Sequence, residues 1–569
     1  MCGITGFVNF NSQKPNLTLL KKMTEVIAYR GPDDQGLKIM SNCALGNRRL
    51  SIIDLSPAGH MPMWDFKHNF CITFNGEIYN FQELKQDLLR KGYKFNSNSD
   101  TEVVLNVFIE YKQQCLNKLK GMFAFAIWNQ KEQELFIARD HFGIKPLHYY
   151  LDREVFIFGS EIKSILLHPN VKKTLNATAL SHYFSLGFGC IASPETIFKN
   201  VSKLPPAHYA FIKNGNISIS RYWDLADTKA QKISFDEVVV TSAKLLEQSV
   251  RRQLISDVPL GTFLSGGLDS SIISALAQNN TSHQLKTFSI GFDDKHFDES
   301  KYALQVAKYL NTDHHHKQFR FQEVLDILPK IIDNLDEPLA DASILPVYLL
   351  SQFTRSKITV SLSGDGGDEL FAGYPTYLAH KFARFLNWLP QYLRLFSKAI
   401  AITASPLLNL TSLNKHTPNF SNRMKFDRFF DGLNQDLGIQ HLNFLGPMPV
   451  SQKDKLVLNH QETATAYVAQ ILKRVSGWDS QKQLQYLDLL IYVGEDCLVK
   501  VDRASSYNSL EVRPPILDVD LTEYIFSLPS DYKLHNLTPK YLLKQMAQPY
   551  LPDNIINRPK KGFGIPTHQ

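Results

Sequence analysis

The chain has 569 residues, too many for a single hydrophobic core, so two or more domains are expected. Hydrophobic residues at 44% and charged residues at 21% are ordinary globular values. The net charge of +7 is small for this length and the lysines and arginines are scattered, so no basic tract points to nucleic acid as a partner.

The six cysteines (2, 43, 71, 115, 190 and 497) form no CxxC pair and no zinc spacing, and no basic segment followed by an apolar core opens the chain. Free thiols in a reducing cytoplasm are the expectation. The most apolar later stretch, 399–413, is too short to span a bilayer and is interrupted by Pro406, so no membrane insertion is expected.

The chain begins MCGITGF. A small residue at position 2 permits removal of Met1, which leaves Cys2 with a thiol and a free α-amine on one residue. Such an amine titrates near neutrality and can take the thiol proton directly or through a water. The competing reading is a small hydrophobe at the start of a strand. RGPDDQG at 30–36 reads as a turn-rich loop in which Arg30 and Asp33 order the chain. In NRRLSIIDL, 47–55, Leu50, Ile52 and Ile53 suggest a strand. FNGEIYN, 74–80, falls between an apolar strand at 71–74 and a helix starting near Phe81. SNSDTEVVL, 97–105, reads as an N-capped helix with Asp100 near its start. The stretches 121–129 and 134–150 read as two strands and a turn, with Arg139, Asp140 and Lys145 as framework. Further strand-like segments lie at 157–164 and 207–219.

At LPPAH (204–208) and RYWDL (221–225) proline and aromatic residues give way to an amphipathic helix over 235–255, with Val239, Leu245, Leu246 and Val250 on one side. A boundary near 225 divides the chain into domains 1–225 and 226–569. From there strand 262–264, helix from Ile272, strand 286–292, helix 299–310, a strand-like stretch at His314, His315 and His316, helix 342–355 and strand 358–362 alternate. That alternation predicts a parallel sheet with helices on both faces. The three histidines cannot all ligate one ion, because neighbours on a strand point to opposite faces. Asp502, Arg503, Glu511 and Arg513 read as a buried charged framework. The helical region 379–482 interleaves basic and aromatic residues and suits an acceptor or partner surface.

The first sheet strand runs into SGGLDSS, 265–271. A strand, a small-residue loop and a helix N-terminus form an anion cradle, with N–H groups turned inward, no Cβ at Gly266 or Gly267, and a favourable helix dipole. Asp269 would repel a bare phosphate and makes sense as a ligand for a phosphate-bound Mg²⁺. No lysine follows the glycines, so this is not the GxxxxGK[ST] loop. SIGF (289–292) and SGDGGDELFAGY (363–374) end two further strands, and three such loops at strand ends converge on one ligand.

The segments of the first 200 residues, taken together, resemble the class II glutamine amidotransferase domain, an N-terminal-nucleophile αββα fold. The resemblance implies that Cys2 attacks the glutamine amide, that Asn75 and Gly76 form the oxyanion hole, that Arg49 grips the α-carboxylate, and that Glu77 and Asp100 accept from the α-ammonium and amide. The second half resembles the synthetase domain of glutamine-hydrolysing asparagine synthetases, a doubly wound α/β fold with a pyrophosphate loop. It implies that Ser265, Gly266, Gly267, Ser270 and Ser271 hold pyrophosphate and that Asp269 and Asp368 bind Mg²⁺. Ile290, Ser363 and Gly364 would contact the adenosine of ATP, and Lys560, in RPKKGFG, would close on the phosphates. Asp365 stands where well-known members carry the glutamate tied to forming the acyl-adenylate, so the resemblance implies that it is catalytic, one methylene shorter. SGDGGDELFAGY and DEPLADASILP (336–346) look more like relatives associated with surface polysaccharide or peptidoglycan modification. In relatives with this pattern a further helical segment commonly follows the point where this sequence ends.

The expected function is therefore glutamine-dependent amidation of a carboxylate through an acyl-adenylate, with ATP and Mg²⁺. Aspartate is the default acceptor and a cell-envelope sugar or peptide carboxylate the alternative. A cytoplasmic homodimer fits the resemblance. A non-catalytic ATP-binding relative is the rival from another class, and the presence of Cys2, Asn75, Asp269 and Asp368 together argues against it.

Overall fold

The central strands of the first half are buried on both faces, because each of its two sheets lies between another sheet and a layer of helix. In chain order they are β1 (Gly3–Asn9), β2 (Asp34–Met40), β3 (Cys43–Arg49), β4 (Met63–Trp64), β5 (Phe70–Ile78), β6 (Gly121–Asn129), β7 (Glu134–Arg139), β8 (His148–Leu151), β9 (Val155–Gly159), β10 (Val201–Lys203), β11 (His208–Lys213) and β12 (Asn216–Arg221). The computed structural model describes all of the chain except residues 12, 188, 295–297, 391, 394–396, 399, 402, 404–421, 447–463 and 560–569.

One antiparallel sheet has the order β10-β8-β9-β1-β3-β2, the other β12-β11-β7-β6-β5-β4. Their facing sides share a core that includes Ile4, Leu45, Phe158, Cys71, Trp128 and Ile137. Helix Leu17–Glu25 packs on the outer face of the first sheet and helix Asp100–Tyr111 on that of the second, so the layers run helix, sheet, sheet, helix. Ser99 caps the latter helix by accepting from the Thr101 N–H, as its sequence predicts.

The second half builds one parallel sheet from β13 (Leu260–Phe263), β14 (Lys286–Phe292), β15 (Asp313–Phe319), β16 (Val360–Leu362) and β17 (Glu511–Arg513), in the order β15-β14-β13-β16-β17. The chain therefore winds outward from β13 in one direction and returns to β13's other side with β16. The crevice at this reversal, beyond the C-terminal ends of β13 and β16, is where an open α/β sheet receives its ligand. SGGLDSS follows β13 and SGDGGD follows β16, so the two loops are neighbours there. Helix Phe235–Gln253 buries Val238, Leu246 and Val250 against the sheet's helices, while Val239 and Leu245 are only half-buried.

Three expected elements differ. The strand expected at 47–55 ends at Arg49, because Asp54 takes a left-handed φ of 57° and the Arg49 guanidinium turns back to donate to the carbonyls of Ile53 (3.1 Å) and Asp54 (2.6 Å). FNGEIYN does not leave the sheet at Phe74: β5 runs on to Ile78, paired with β6 as far as Gly121. The segment 157–164 splits into β9 and a short helix, Ile162–Ile165, at Glu161, whose buried carboxylate is held by Arg30 and Arg503. Of the region 379–482, helices Leu437–Leu445 and Ala464–Arg474 are described and part lies outside the described residues.

Candidate active sites

Cys2 sits at the mouth of β1, nearly fully buried. Its N–H donates to the Asn75 side-chain oxygen at 3.1 Å and its thiol faces the Leu50 carbonyl at 3.9 Å. Burial pushes the thiol pKa up, against the lowering pull of the N-terminal amine, the Leu50 contact and Arg49. Because Asn75 spends its oxygen on Cys2, its Nδ2 faces inward as a buried donor with no partner among the described residues. Gly76 beside it admits no side chain, since a Cβ would lie 2.2 Å from the Met122 carbonyl oxygen. Arg49 is buried and acts on the thiol, although its guanidinium also holds the loop that follows β3. Glu77 and Asp100 form a buried carboxyl pair. Burial and Asp100 raise Glu77, and burial pushes Asp100 up to about 6. Asp100 accepts from the Ile78 N–H at 3.0 Å, and Glu77 from Arg513 at 3.2 Å.

At the sheet crevice, Gly266 takes φ +74° and a Cβ there would strike the Tyr302 backbone at 2.5 Å. At Gly267 a Cβ would meet only the Ser265 Oγ, at 3.4 Å, so it would project into the cradle itself. Gly267 is the N-cap of helix Leu268–Asn279, and no side chain caps that end. Ser270 Oγ lies 3.0 Å from Ser265 Oγ and tightens the loop, whereas Ser271 is fully buried on the inner side of the helix. Ser363 donates its N–H to the Arg513 carbonyl, and its hydroxyl donates to Asp365 at 2.6 Å. Burial raises the Asp365 carboxyl. Ile290 is buried within β14. Gly364 and Gly367 leave room for Asp269, since a Cβ on either would come within 3 Å of its side chain.

Asp269, from the first loop, and Asp368, from the third, meet at one ammonium: Lys540 Nζ lies 2.5 Å from Asp269 and 2.8 Å from Asp368. Two carboxylates brought together by a cation, beside a phosphate cradle, are the donor set a Mg²⁺–nucleotide needs, since Mg²⁺ takes one or two carboxylates and completes its shell with phosphate oxygens and water. The residues fit that ion. Among the described residues no group of three or more acidic, histidine or cysteine side chains is arranged to hold a metal, so these two carboxylates would need phosphate and water to complete the shell.

Residues 1–223 match the glutamine amidotransferase domain family and residues 241–569 the asparagine synthase family. The chain is 34% identical over 572 residues to asparagine synthetase [glutamine-hydrolyzing] 1 of Bacillus subtilis (strain 168), covering 100% of this chain and 87% of the relative. It is 33% identical to asparagine synthetase [glutamine-hydrolyzing] 3 of the same organism, covering 100% and 88%. The chain belongs to the glutamine-hydrolysing asparagine synthetase family. A putative asparagine synthetase [glutamine-hydrolyzing] 2 of Methanocaldococcus jannaschii is 37% identical over 431 residues, 71% of this chain and 81% of its own. Among solved structures, a glutamine phosphoribosylpyrophosphate amidotransferase from B. subtilis is similar at TM-score 0.30 and 14% identity, over 56% of this chain and 81% of that one, too slight a likeness to argue from.

Of the residues singled out from the sequence of this asparagine synthetase family member, Cys2, Asn75, Gly76 and Arg49 gather at one end of β1, β3 and β5, with Glu77 and Asp100 behind them. Ser265, Gly266, Gly267, Asp269, Ser270, Ser363, Gly364, Asp365 and Asp368 gather at the ends of β13 and β16. Lys560 lies outside the described residues. Sequence reasoning missed Lys540, whose partner Asp269 is 271 residues away, and Arg558, which donates to the Gly266 carbonyl at 2.9 Å and lies over the Tyr302 ring. It also read Arg30 as a loop residue. Arg30 is fully buried, donates to the Cys2 carbonyl at 3.0 Å, and pairs with Glu161 at 2.8 Å and Asp502 at 2.9 Å, so it ties the two halves together. Arg30 opens RGPDDQG and Arg558 opens RPKKGFG, but neither motif reveals its distant partners, and no local pattern signals Lys540.

Proposed function

We propose that the chain hydrolyses glutamine at Cys2 and uses the ammonia to amidate a carboxylate activated by ATP, with aspartate as acceptor and asparagine, glutamate, AMP and pyrophosphate as products. The observation that supports the reading is the presence of two candidate sites in one chain: a buried cysteine beside an Asn75 amide donor with no partner among the described residues, and a glycine cradle beside two carboxylates that share one cation. Cys2 attacks the glutamine amide carbon. The free Asn75 Nδ2 and the Gly76 N–H then stand where negative charge develops on the amide oxygen, and one such donor is worth about 3 kcal/mol in the barrier. Arg49 takes the α-carboxylate, and Asp100 with Glu77 the α-ammonium.

In the second site, Ser265, Gly266, Gly267, Ser270 and the helix end hold the phosphates, Ser271 supports that helix from below, and Ile290, Ser363 and Gly364 flank the adenosine. Lys560 completes the phosphate contacts. Asp269 and Asp368 would hold Mg²⁺, which neutralises phosphate charge when bound. A carboxylate is a poor electrophile, so its oxygen must first attack the α-phosphorus and expel pyrophosphate. Ammonia then attacks the acyl carbon and AMP departs. Asp365, raised by burial and held by Ser363, borders that acyl position in the place of the longer glutamate. An envelope sugar or peptide carboxylate is the second reading, and the SGDGGDELFAGY loop favours it.

The test is pyrophosphate release from ATP, MgCl₂ and ammonium chloride, with and without aspartate. Pyrophosphate and asparagine formed in step support aspartate as acceptor, and ATP binding without response to aspartate moves the acceptor to an envelope carboxylate. Cys2→Ala should abolish glutamine-driven product and spare ammonia-driven product. Equal loss of both would refute the division of labour.

A further inference from the structure

The chain holds 55 Asp and Glu in 569 residues, yet none lies in the span from Leu370 to Phe426, which carries seven Lys and Arg and ten aromatic residues. Basic and aromatic residues without counter-charges are the composition of segments that lie on anionic membranes.

Helix Pro375–Leu386 begins this span, with Tyr374 at its N-cap, directly after the loop that carries Asp365 and Asp368. Its inner face is fixed. Tyr377, His380 and Ala383 are buried, the Tyr377 hydroxyl donates to Asp488 at 2.6 Å, and the His380 ring meets Gln440 at 2.9 Å and His441 at 3.0 Å. A helix held by these bonds cannot roll, so Phe382 and Phe385, three residues apart on its other side, are left outside. A surface helix ordinarily gives water its polar face. Here the outer face is apolar as well. Phe385 is 72% exposed, Tyr392 69% and Trp388 92%, the most of any large hydrophobic side chain among the described residues. Lys381 and Arg384 stand exposed on the same helix, and Lys381 donates to the Asn536 carbonyl at 2.8 Å.

Single exposed apolar side chains are ordinary, but a cluster of large ones marks a surface that is covered in use. Charge selects the cover. In a two-fold contact a second copy of this chain would set Lys381 and Arg384 against their own kind. An anionic lipid surface meets both parts of the face: aromatic rings settle at headgroup level and cations among the headgroups. No described helix is long and apolar enough to cross a membrane, so such a contact is lateral.

We propose that Phe382, Phe385, Trp388 and Tyr392, with Lys381 and Arg384, form a docking surface for anionic lipid. Because this helix springs from the loop of Asp365 and Asp368, docking holds the second site about one helix length, ~18 Å, from the lipid. The surface serves the protein whichever carboxylate is amidated.

The experiment is co-sedimentation of the full chain with vesicles of phosphatidylglycerol and phosphatidylethanolamine, or of phosphatidylcholine alone. Wild type should pellet with the anionic vesicles at low ionic strength, and at least 10-fold less with phosphatidylcholine or at high ionic strength. Phe385→Ser combined with Trp388→Ser, both at exposed positions, should keep the wild-type Tm and rate of pyrophosphate release while pelleting at least 10-fold less. Trp388→Phe should still pellet but lose the blue shift in tryptophan emission that the vesicles cause in wild type. Vesicle binding needs no turnover, so its result is independent of the acceptor.

Wild type that stays in the supernatant with both kinds of vesicle overturns the proposal, and so does a double-serine variant that pellets like wild type. If wild type ignores vesicles and the double substitution lowers the oligomeric state in sedimentation velocity, the face belongs to a second copy and the lipid proposal falls.

Discussion

Lys540 holds one ammonium against two carboxylates that reach it from different strand ends. Replacing it by methionine leaves Asp269 and Asp368 facing each other in a mostly buried place, and breaking such a pair costs about 3 kcal/mol. The metal proposed for those carboxylates would restore the balance. Lys540→Met should therefore melt lower than wild type without Mg²⁺ and gain more in Tm from millimolar MgCl₂, as measured by scanning calorimetry. An equal gain in both proteins would place the metal elsewhere. A different lysine carries a pH dependence. Lys533 is fully buried over the Phe526 ring, and burial, then Lys482, lowers it to about 7. Between about pH 7 and its unfolded value near 10.4 the unfolded chain binds more protons than the folded one, so stability rises with pH by up to about 1.4 kcal/mol per unit. Denaturant titrations at pH 7, 8 and 9 should show that rise and its loss in Lys533→Met. A flat wild-type profile would mean that Lys533 keeps its proton in the fold.

At the scale of elements, two adjacent glycines of one loop should fail in different ways. Gly266 is left-handed and already in contact with the Tyr302 backbone, so Gly266→Ala adds about 1–2 kcal/mol of backbone strain plus a clash and should lower Tm. Gly267 has an ordinary φ of −79° and a Cβ there would make only van der Waals contact with the Ser265 Oγ, so Gly267→Ala should keep Tm and weaken ATP binding at least 10-fold. Calorimetry and fluorescent-nucleotide titration separate the two effects, and an unchanged ATP affinity in Gly267→Ala would remove this loop from the phosphate site. The loop was legible in the sequence because everything that makes it is local: apolar strand, small residues, helix. The strand–helix alternation was legible for the same reason. The full length of β5 was not, because the pairing of Ile78 with Gly121 comes from 43 residues away. Nor was β17, three residues of which two are charged. Glu511 and Arg513 are buried there because they pair with each other, and Arg513 reaches Glu77 behind the cysteine while its carbonyl receives the Ser363 N–H. Lys540 and Arg30 were hidden by the same kind of long-range pairing.

On the function proposed above, the molecule has to carry ammonia between the two sites before water protonates it, because ammonium has no lone pair with which to attack. The ion pairs Arg30–Asp502 and Glu161–Arg503 clamp the halves together behind Cys2, whose carbonyl accepts from Arg30. Beside that clamp a small cavity touches Met1 on one side and Ser363 and Asp365 on the other, with Lys145, Val501 and Val512 between. Ile144, Leu498, Val501, Val512 and Pro514 form the apolar part of its wall, Asp365, Asp502 and Lys145 the charged part, and burial lowers Lys145. Val501 lines this cavity between its two ends, so a larger side chain there would fill it. Val501→Trp should leave glutamate formation and ammonia-driven synthesis near wild type and lower glutamine-driven synthesis at least fivefold, with the missing ammonia appearing in solution. The ratio of amidated product to glutamate, followed together with free ammonia by an enzyme-coupled assay, reads the effect. A ratio that stays at its wild-type value would mean that ammonia crosses by another path, and a parallel fall in ammonia-driven synthesis would mean that the substitution had damaged the second site instead.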